Sequence, residues 1–260
     1  MKIVLLTAFA GIVGTGLGGL ISVVLIRRSA ANITPWLLSF AAGIMTSIAC
    51  FGLIPQALSV ADITVAVVGL VFGVLATLYL NRVVDKITES RSDKLQVHQS
   101  AEELYHAGQL IQNPRHLLKS GVVMLFAIGL HHIPEGIAIG AGGSYDIQFG
   151  ILLALVLGLH AIPEGMAIAA PLLAGGVSRG KVVALTALSG TPTILGGLIG
   201  WLVGGISTIT LALALSFAGG AMLYVVFGEI IPHSVVMTKS RKATIVTLIG
   251  IIIGLLVTRF

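Results

Sequence analysis

Charge is scarce in this chain: Asp, Glu, Lys and Arg make up 10% of its 260 residues, against about 25% in ordinary soluble domains. A chain this poor in charge cannot clothe a water-facing surface, so lipid is the solvent its composition fits. Cysteine is scarcer still. Cys50 stands alone, which excludes an internal disulfide and any all-thiolate metal site. Aromatic residues amount to 6%. The net charge of +5 does not gather on one stretch, so a nucleic-acid partner is excluded as well. What is abundant is apolar sequence, 56% of the residues, and glycine, with 33. That combination suits membrane helices, whose small residues let backbones approach.

A helix that crosses a bilayer needs about 20 apolar residues. Eight such stretches occur, at 3–26, 36–58, 63–80, 121–143, 148–173, 182–203, 208–231 and 244–258. The expectation is therefore an all-α polytopic protein with eight transmembrane helices, forming one transport domain over residues 1–260. The first stretch is too long for a signal-peptide core and ends at Arg27-Arg28, so it reads as a retained span. The one long polar stretch, 81–120, joins the third and fourth spans. Placing Arg27 and Arg28 inside puts 13 of the 15 basic residues in the cytoplasm, as the positive-inside rule requires. Both termini are then outside. No long targeting presequence precedes the first span, which favours a bacterial or archaeal plasma (inner) membrane.

Two repeats run through the chain. HHIPEGIAIG at 131–140 returns as HAIPEGMAIA at 160–169, and SFAAGIM at 39–45 returns as SFAGGAM at 216–222. The second match continues without a gap from Ile54-Pro55-Gln56 to Ile231-Pro232-His233. The partners of each pair lie on spans that cross in opposite directions. Inverted repeats of this kind place a transporter's binding site at the repeat interface, near the midplane.

The decapeptides carry the chemistry. His131 and Glu135 are i and i+4, so they share a helix face; His160 and Glu164 repeat the spacing, and His132 sits at i−3 from Glu135, on the edge of that face. All lie some 16–18 Å from a span end at about 1.5 Å per residue. Ionisable groups at that depth are costly unless paired or coordinated. A divalent cation between the fourth and fifth spans would balance two glutamates. Pro134 and Pro163 each free the carbonyl four residues earlier, at Leu130 and Leu159, and such a carbonyl must line a cavity or find a partner. Mixed nitrogen and oxygen donors point to Zn²⁺, Fe²⁺ or Mn²⁺ rather than Mg²⁺, Ca²⁺ or Cu⁺. The metal, Cd²⁺ included, is cargo; no cofactor is required.

Other residues are weaker candidates. Glu229 and His233 are again i and i+4, at the cytoplasmic end of the seventh span, and Gln56 stands near the outer end of the second; all three are possible pathway residues. Asp62 and Asp146 read as solvated loop ends, Cys50, Met45 and Met222 as packing residues. His98, His106 and His116 read as solvated loop residues, and Gly14-Thr15-Gly16-Leu17-Gly18 as a helix-packing face.

These motifs, with FAAGIM at 40–45 and GEIIPHS at 228–234, resemble the ZIP (Zrt/Irt-like) family of metal permeases along the whole chain. The resemblance implies import of zinc or related ions towards the cytoplasm, with one helix group sliding past a scaffold group. By matching position it implies a site of His131, Glu135, His160 and Glu164. His132 stands where the family often has an asparagine of a second, adjacent metal site. Three departures follow: Ala161 replaces an Asp or Asn, Thr191-Pro192-Thr193 lacks the family's glutamate, and Gln56 replaces an acidic residue. One tightly held metal is therefore expected instead of two. A homodimer is suggested by analogy alone.

Two rival readings compete with transport. An intramembrane zinc metalloprotease would use buried His and Glu to activate water, but expects HExxH where this chain has HxxPEG twice. A haem protein with His131 and His160 as axial ligands would leave two buried glutamates without a cation.

Overall fold

The computed structural model describes residues 2–25, 30–88, 114–238 and 240–258, and all of its regular structure is helical. Arg27, Arg28, Lys239, Arg259 and residues 89–113, with His98 and His106, lie outside the described residues. Among the described residues, seven helices are long and apolar enough to cross a membrane. They are α1 (Lys2–Val24), α2 (Leu38–Val60), α3 (Ile63–Thr88), α4 (Pro114–Tyr145), α5 (Ile147–Ala174), α6 (Arg179–Gly204) and α7 (Thr208–Ile230). An eighth apolar helix, α8 (Lys242–Thr258), has 17 residues. The polar stretch expected from residue 81 is partly helical, because α3 runs on to Thr88 and α4 begins at Pro114.

Local sequence explains where the helices depart from α geometry. Pro55 and Pro232 follow π-helical turns at Ile48–Leu53 and Val226–Ile230. A proline cannot donate to the carbonyl four residues back and crowds it, and the wider π turn gives that carbonyl room. The two turns sit at matching places in the SFAAGIM and SFAGGAM repeats. In α6, Gly190 and Thr191 interrupt the helix before Pro192, and Thr191 donates its N–H and its hydroxyl to Leu188 O. Asp146 caps α5 by accepting from Gln148 N at 2.9 Å, which bears out its reading as a loop-end residue.

The helices pack as two groups, α1 with α4, α5 and α6, and α2 with α3, α7 and α8. Glycine sets the distances within each. A methyl group at Gly136 or Gly140 would stand 2.1 Å from Thr193 O or Gly197 O of α6. One at Gly73 would stand 2.1 Å from Phe217 O of α7, and one at Gly43 2.1 Å from Thr247 O of α8. Backbones this close are held by dispersion and weak Cα–H···O contacts, the usual adhesive between helices in lipid. Between the groups, α4 meets α7 and α2 meets α5. Among the described residues, no glycine makes such a backbone contact across that boundary.

The core lies along the boundary, with Met45, Ile139, Leu157, Ile168, Leu215 and Met222 fully buried. Met45 and Met222 thus pack, as read from the sequence. Large apolar side chains such as Phe72, Leu159, Trp201 and Ile252 face outward, the inverse of a water-soluble fold. The helices α4 and α5 are the most enclosed, and α3 is the least.

Candidate metal centre

The fourth and fifth helices bring one buried cluster together. Glu135 stands eleven residues after Met124 and ten before Tyr145, the ends of the apolar part of α4. His132, Glu135, His160 and Glu164 are all at most 2% exposed. His132 Nδ1 donates to Glu135 Oε2 at 2.8 Å, and His160 Nε2 donates to Glu135 Oε1 at 3.1 Å across the α4–α5 interface. His160 Nε2 is 3.6 Å from Glu164 Oε1, and His132 Nδ1 is 3.9 Å from Glu164 Oε2.

These separations match the spacing of donors around one small cation. Tetrahedral ligands at about 2.0–2.1 Å from zinc lie roughly 3.3 Å from one another, and the four distances run from 2.8 to 3.9 Å. Donor atoms of His132, Glu135 and Glu164 all lie within 4.8 Å of one another. Both oxygens of Glu164 lack a hydrogen bond, as do His132 Nε2 and His160 Nδ1. Buried polar atoms are normally hydrogen-bonded, and Glu164 meets His160 and His132 only at ion-pair distance. The cluster thus has free lone pairs that a cation can take up. Two carboxylates and two imidazoles form a donor set for a divalent transition metal.

The sequence groups His131 with this set by its i, i+4 spacing to Glu135, and the structure also brings it against α7. His131 Nε2 is 3.4 Å from Glu229 Oε2 of α7, while its neighbour His132, at i−3, bonds Glu135. Both spacings share a face in an ideal helix, and His131 stands where the cluster meets α7. Glu229 also accepts a hydrogen bond from Asn81 Nδ2 at the end of α3's apolar part. The sequence paired Glu229 with His233 instead. His233 belongs to the helical segment Ile231–Thr238, and its side chain lies outside the described residues, as does that of His116 in α4. In the sequence Asn81 is simply the first residue of the polar stretch. An amide at the very end of the apolar part of α3, one residue before Arg82, is the signal that could have found it. Gln56 is half-buried near the end of α2, and its carbonyl accepts from Ser59 Oγ at 2.8 Å. Cys50 is half-buried in α2.

The class is now defined: a polytopic helical membrane protein whose buried His/Glu cluster suits a divalent transition metal. Comparison with known proteins narrows it. The family model described as ZIP zinc transporter matches residues 81–260. The zinc transporter ZupT of Streptococcus mutans is 30% identical over 263 residues, covering 97% of this chain and 93% of that protein. The ZupT proteins of Shigella flexneri serotype 5b and Escherichia coli O127:H6 are each 30% identical, over 88% of this chain and 84% of their own. The chain belongs to the ZIP family of metal permeases. The metalloprotease alternative gains no support from this membership, nor from a cluster in which both glutamates approach the histidines.

Proposed function

We propose that this protein carries divalent transition-metal ions, zinc foremost with iron and manganese as further cargo, across the plasma (inner) membrane towards the cytoplasm. The observation that carries the reading is Glu164: a fully buried carboxylate beside Glu135 and two imidazoles, with no hydrogen bond of its own. A divalent ion would neutralise the glutamates and accept lone pairs from all four side chains. Ala161 and Thr191-Pro192-Thr193 supply no further carboxylate, so the site holds one metal.

The packing supports a sliding movement. The cluster belongs to the group α1, α4, α5 and α6, whose members are joined through glycine–carbonyl contacts; in the other group such contacts join α2 to α8 and α3 to α7. The first group slides as a carriage past the second, opening the site to either face in turn. The matching π turns in α2 and α7 support an inverted repeat in the frame, as the matching Pro-Glu-Gly turns in α4 and α5 do in the carriage. The helix α8 is the eighth span; its 17 residues cover about 26 Å, a small mismatch that tilt or local thinning of the bilayer absorbs. With the basic segments inside, both termini are outside. His131, Glu229 and Asn81 then lead from the cluster to the cytoplasmic end of α3, the side of metal release.

The test is uptake into proteoliposomes of Zn²⁺, Fe²⁺, Mn²⁺ and Mg²⁺ by the wild type and Glu164→Ala. Saturable uptake of a transition metal, absent for Mg²⁺ and lost in the variant, is the expected result. Unaltered transport in the variant would refute the site.

A further inference from the structure

The two metal-facing glutamates differ in what holds them. Glu135 accepts hydrogen bonds from His132 and His160. Glu164 accepts none and meets His160 and His132 only at 3.6 and 3.9 Å, so its position depends more on the backbone of α5. That backbone is weakened at the same place, because Pro163 removes one helical hydrogen bond beside it. Pro134 does the same beside Glu135.

Each weak turn is gripped by a neighbouring helix in the same way. On α5, a methyl at Gly165 would stand 2.1 Å from Thr15 O of α1, and one at Gly18 of α1 would stand 2.1 Å from Ile162 O. On α4, a methyl at Gly136 would stand 2.1 Å from Thr193 O of α6, and one at Gly196 of α6 would stand 2.1 Å from Ile133 O. Ile133 and Ile162 are equivalent in the decapeptide repeat, each directly before its proline. The carbonyls just before Pro134 and Pro163, and the glycines just after the two glutamates, are thus clasped reciprocally.

We infer that α1 and α6 are a matched pair of braces for the metal site, in which Gly18 and Gly196 are positioning residues for Glu164 and Glu135. The inference rests on the proposed metal site and says what keeps it in shape. A methyl at Gly18 forces α1 and α5 apart by more than about 1 Å if the contact is to reach the ~3.4 Å of a Cα–H···O pair. A preorganised site tolerates about 0.5 Å. Glu164, with no hydrogen bond to recapture it, moves with its helix.

The experiment compares purified full-length Gly18→Ala, Gly196→Ala, Gly73→Ala and Glu164→Gln for Co²⁺ and Zn²⁺ affinity and for the visible spectrum of bound Co²⁺. Gly73→Ala is the control, since its methyl would stand equally close, 2.1 Å, to Phe217 O in the α3–α7 pair, away from any proposed ligand. Gly18→Ala and Gly196→Ala are expected to lose about tenfold or more in affinity, the scale of removing support behind a ligand, and to alter the Co²⁺ spectrum. Gly73→Ala is expected to change neither. Affinities and spectra alike for all three glycine variants would overturn the braces while leaving the site standing. Unchanged Co²⁺ binding by Glu164→Gln would overturn site and braces together. Should the brace variants not fold, hydrogen exchange of the wild type decides. Zinc is expected to slow exchange around Thr15–Gly18 and Thr193–Gly196, and protection confined to α4 and α5 would refute the inference.

Discussion

Replacing Glu164 by glutamine keeps the shape of the side chain and removes one charge, which makes two effects separable. In the metal-loaded protein, two glutamates and a divalent ion sum to neutrality. The variant leaves a net unit charge at the centre of the span, where a charged group costs about 2.5–3.5 kcal/mol. At 1.4 kcal/mol per decade, that predicts roughly 100-fold weaker binding. In the metal-free protein the sign reverses. Glu164 is 1% exposed and accepts no hydrogen bond, and an unsatisfied buried charged group costs about 1–3 kcal/mol or more. Metal-free Glu164→Gln should therefore melt at a higher temperature than the metal-free wild type. The assay is metal titration by calorimetry on detergent-purified protein, with thermal melts of both proteins with and without zinc. Zinc should raise the wild type's melting temperature strongly and the variant's hardly at all. A variant that binds zinc within threefold of the wild type, or that is less stable without metal, would show that Glu164 is not a ligand awaiting a cation.

His132→Ala is expected to weaken zinc binding by about 10–100-fold, because it removes a nitrogen facing both glutamates; His131→Ala should leave the affinity within about threefold and slow uptake instead. Equal losses of affinity in the two variants would return His131 to the central site. Glu229→Gln should slow uptake much as His131→Ala does, and the double variant should be no slower than either single one, as expected for two groups in contact. Additive slowing would mean that the 3.4 Å contact has no role in transport. Alanine at His98, His106 and His116 together should leave uptake rates nearly unchanged, and a severalfold fall would assign the polar segment a part in moving metal.

By itself the sequence determined the class of molecule and pointed to the buried His/Glu cluster. Charge scarcity and runs of about 20 apolar residues leave helices as the structure that satisfies every backbone group in lipid. Six of the eight spans read from the sequence end within a few residues of the observed helices. The edges of the 81–120 segment were less legible, since polar side chains at 81–88 and 114–120 do not forbid a helix from running past the bilayer. Buried His and Glu around Pro-Glu-Gly turns were legible because an ionisable group at midspan has few physical explanations. Which contacts His131 and His132 make outside their own helix was shown only by the tertiary structure. Adjacent residues on a helix point about 100° apart, and which of them faces α5 and which faces α7 depends on how α4 rolls against those helices. The contacts of Glu229 with His131 and Asn81 depend likewise on helices far apart in sequence. So do the glycine braces: glycine spacing announces close packing, but only the fold shows that Gly18 meets Ile162 and Gly196 meets Ile133, because spacing along one helix carries no information about which helix lies beside it.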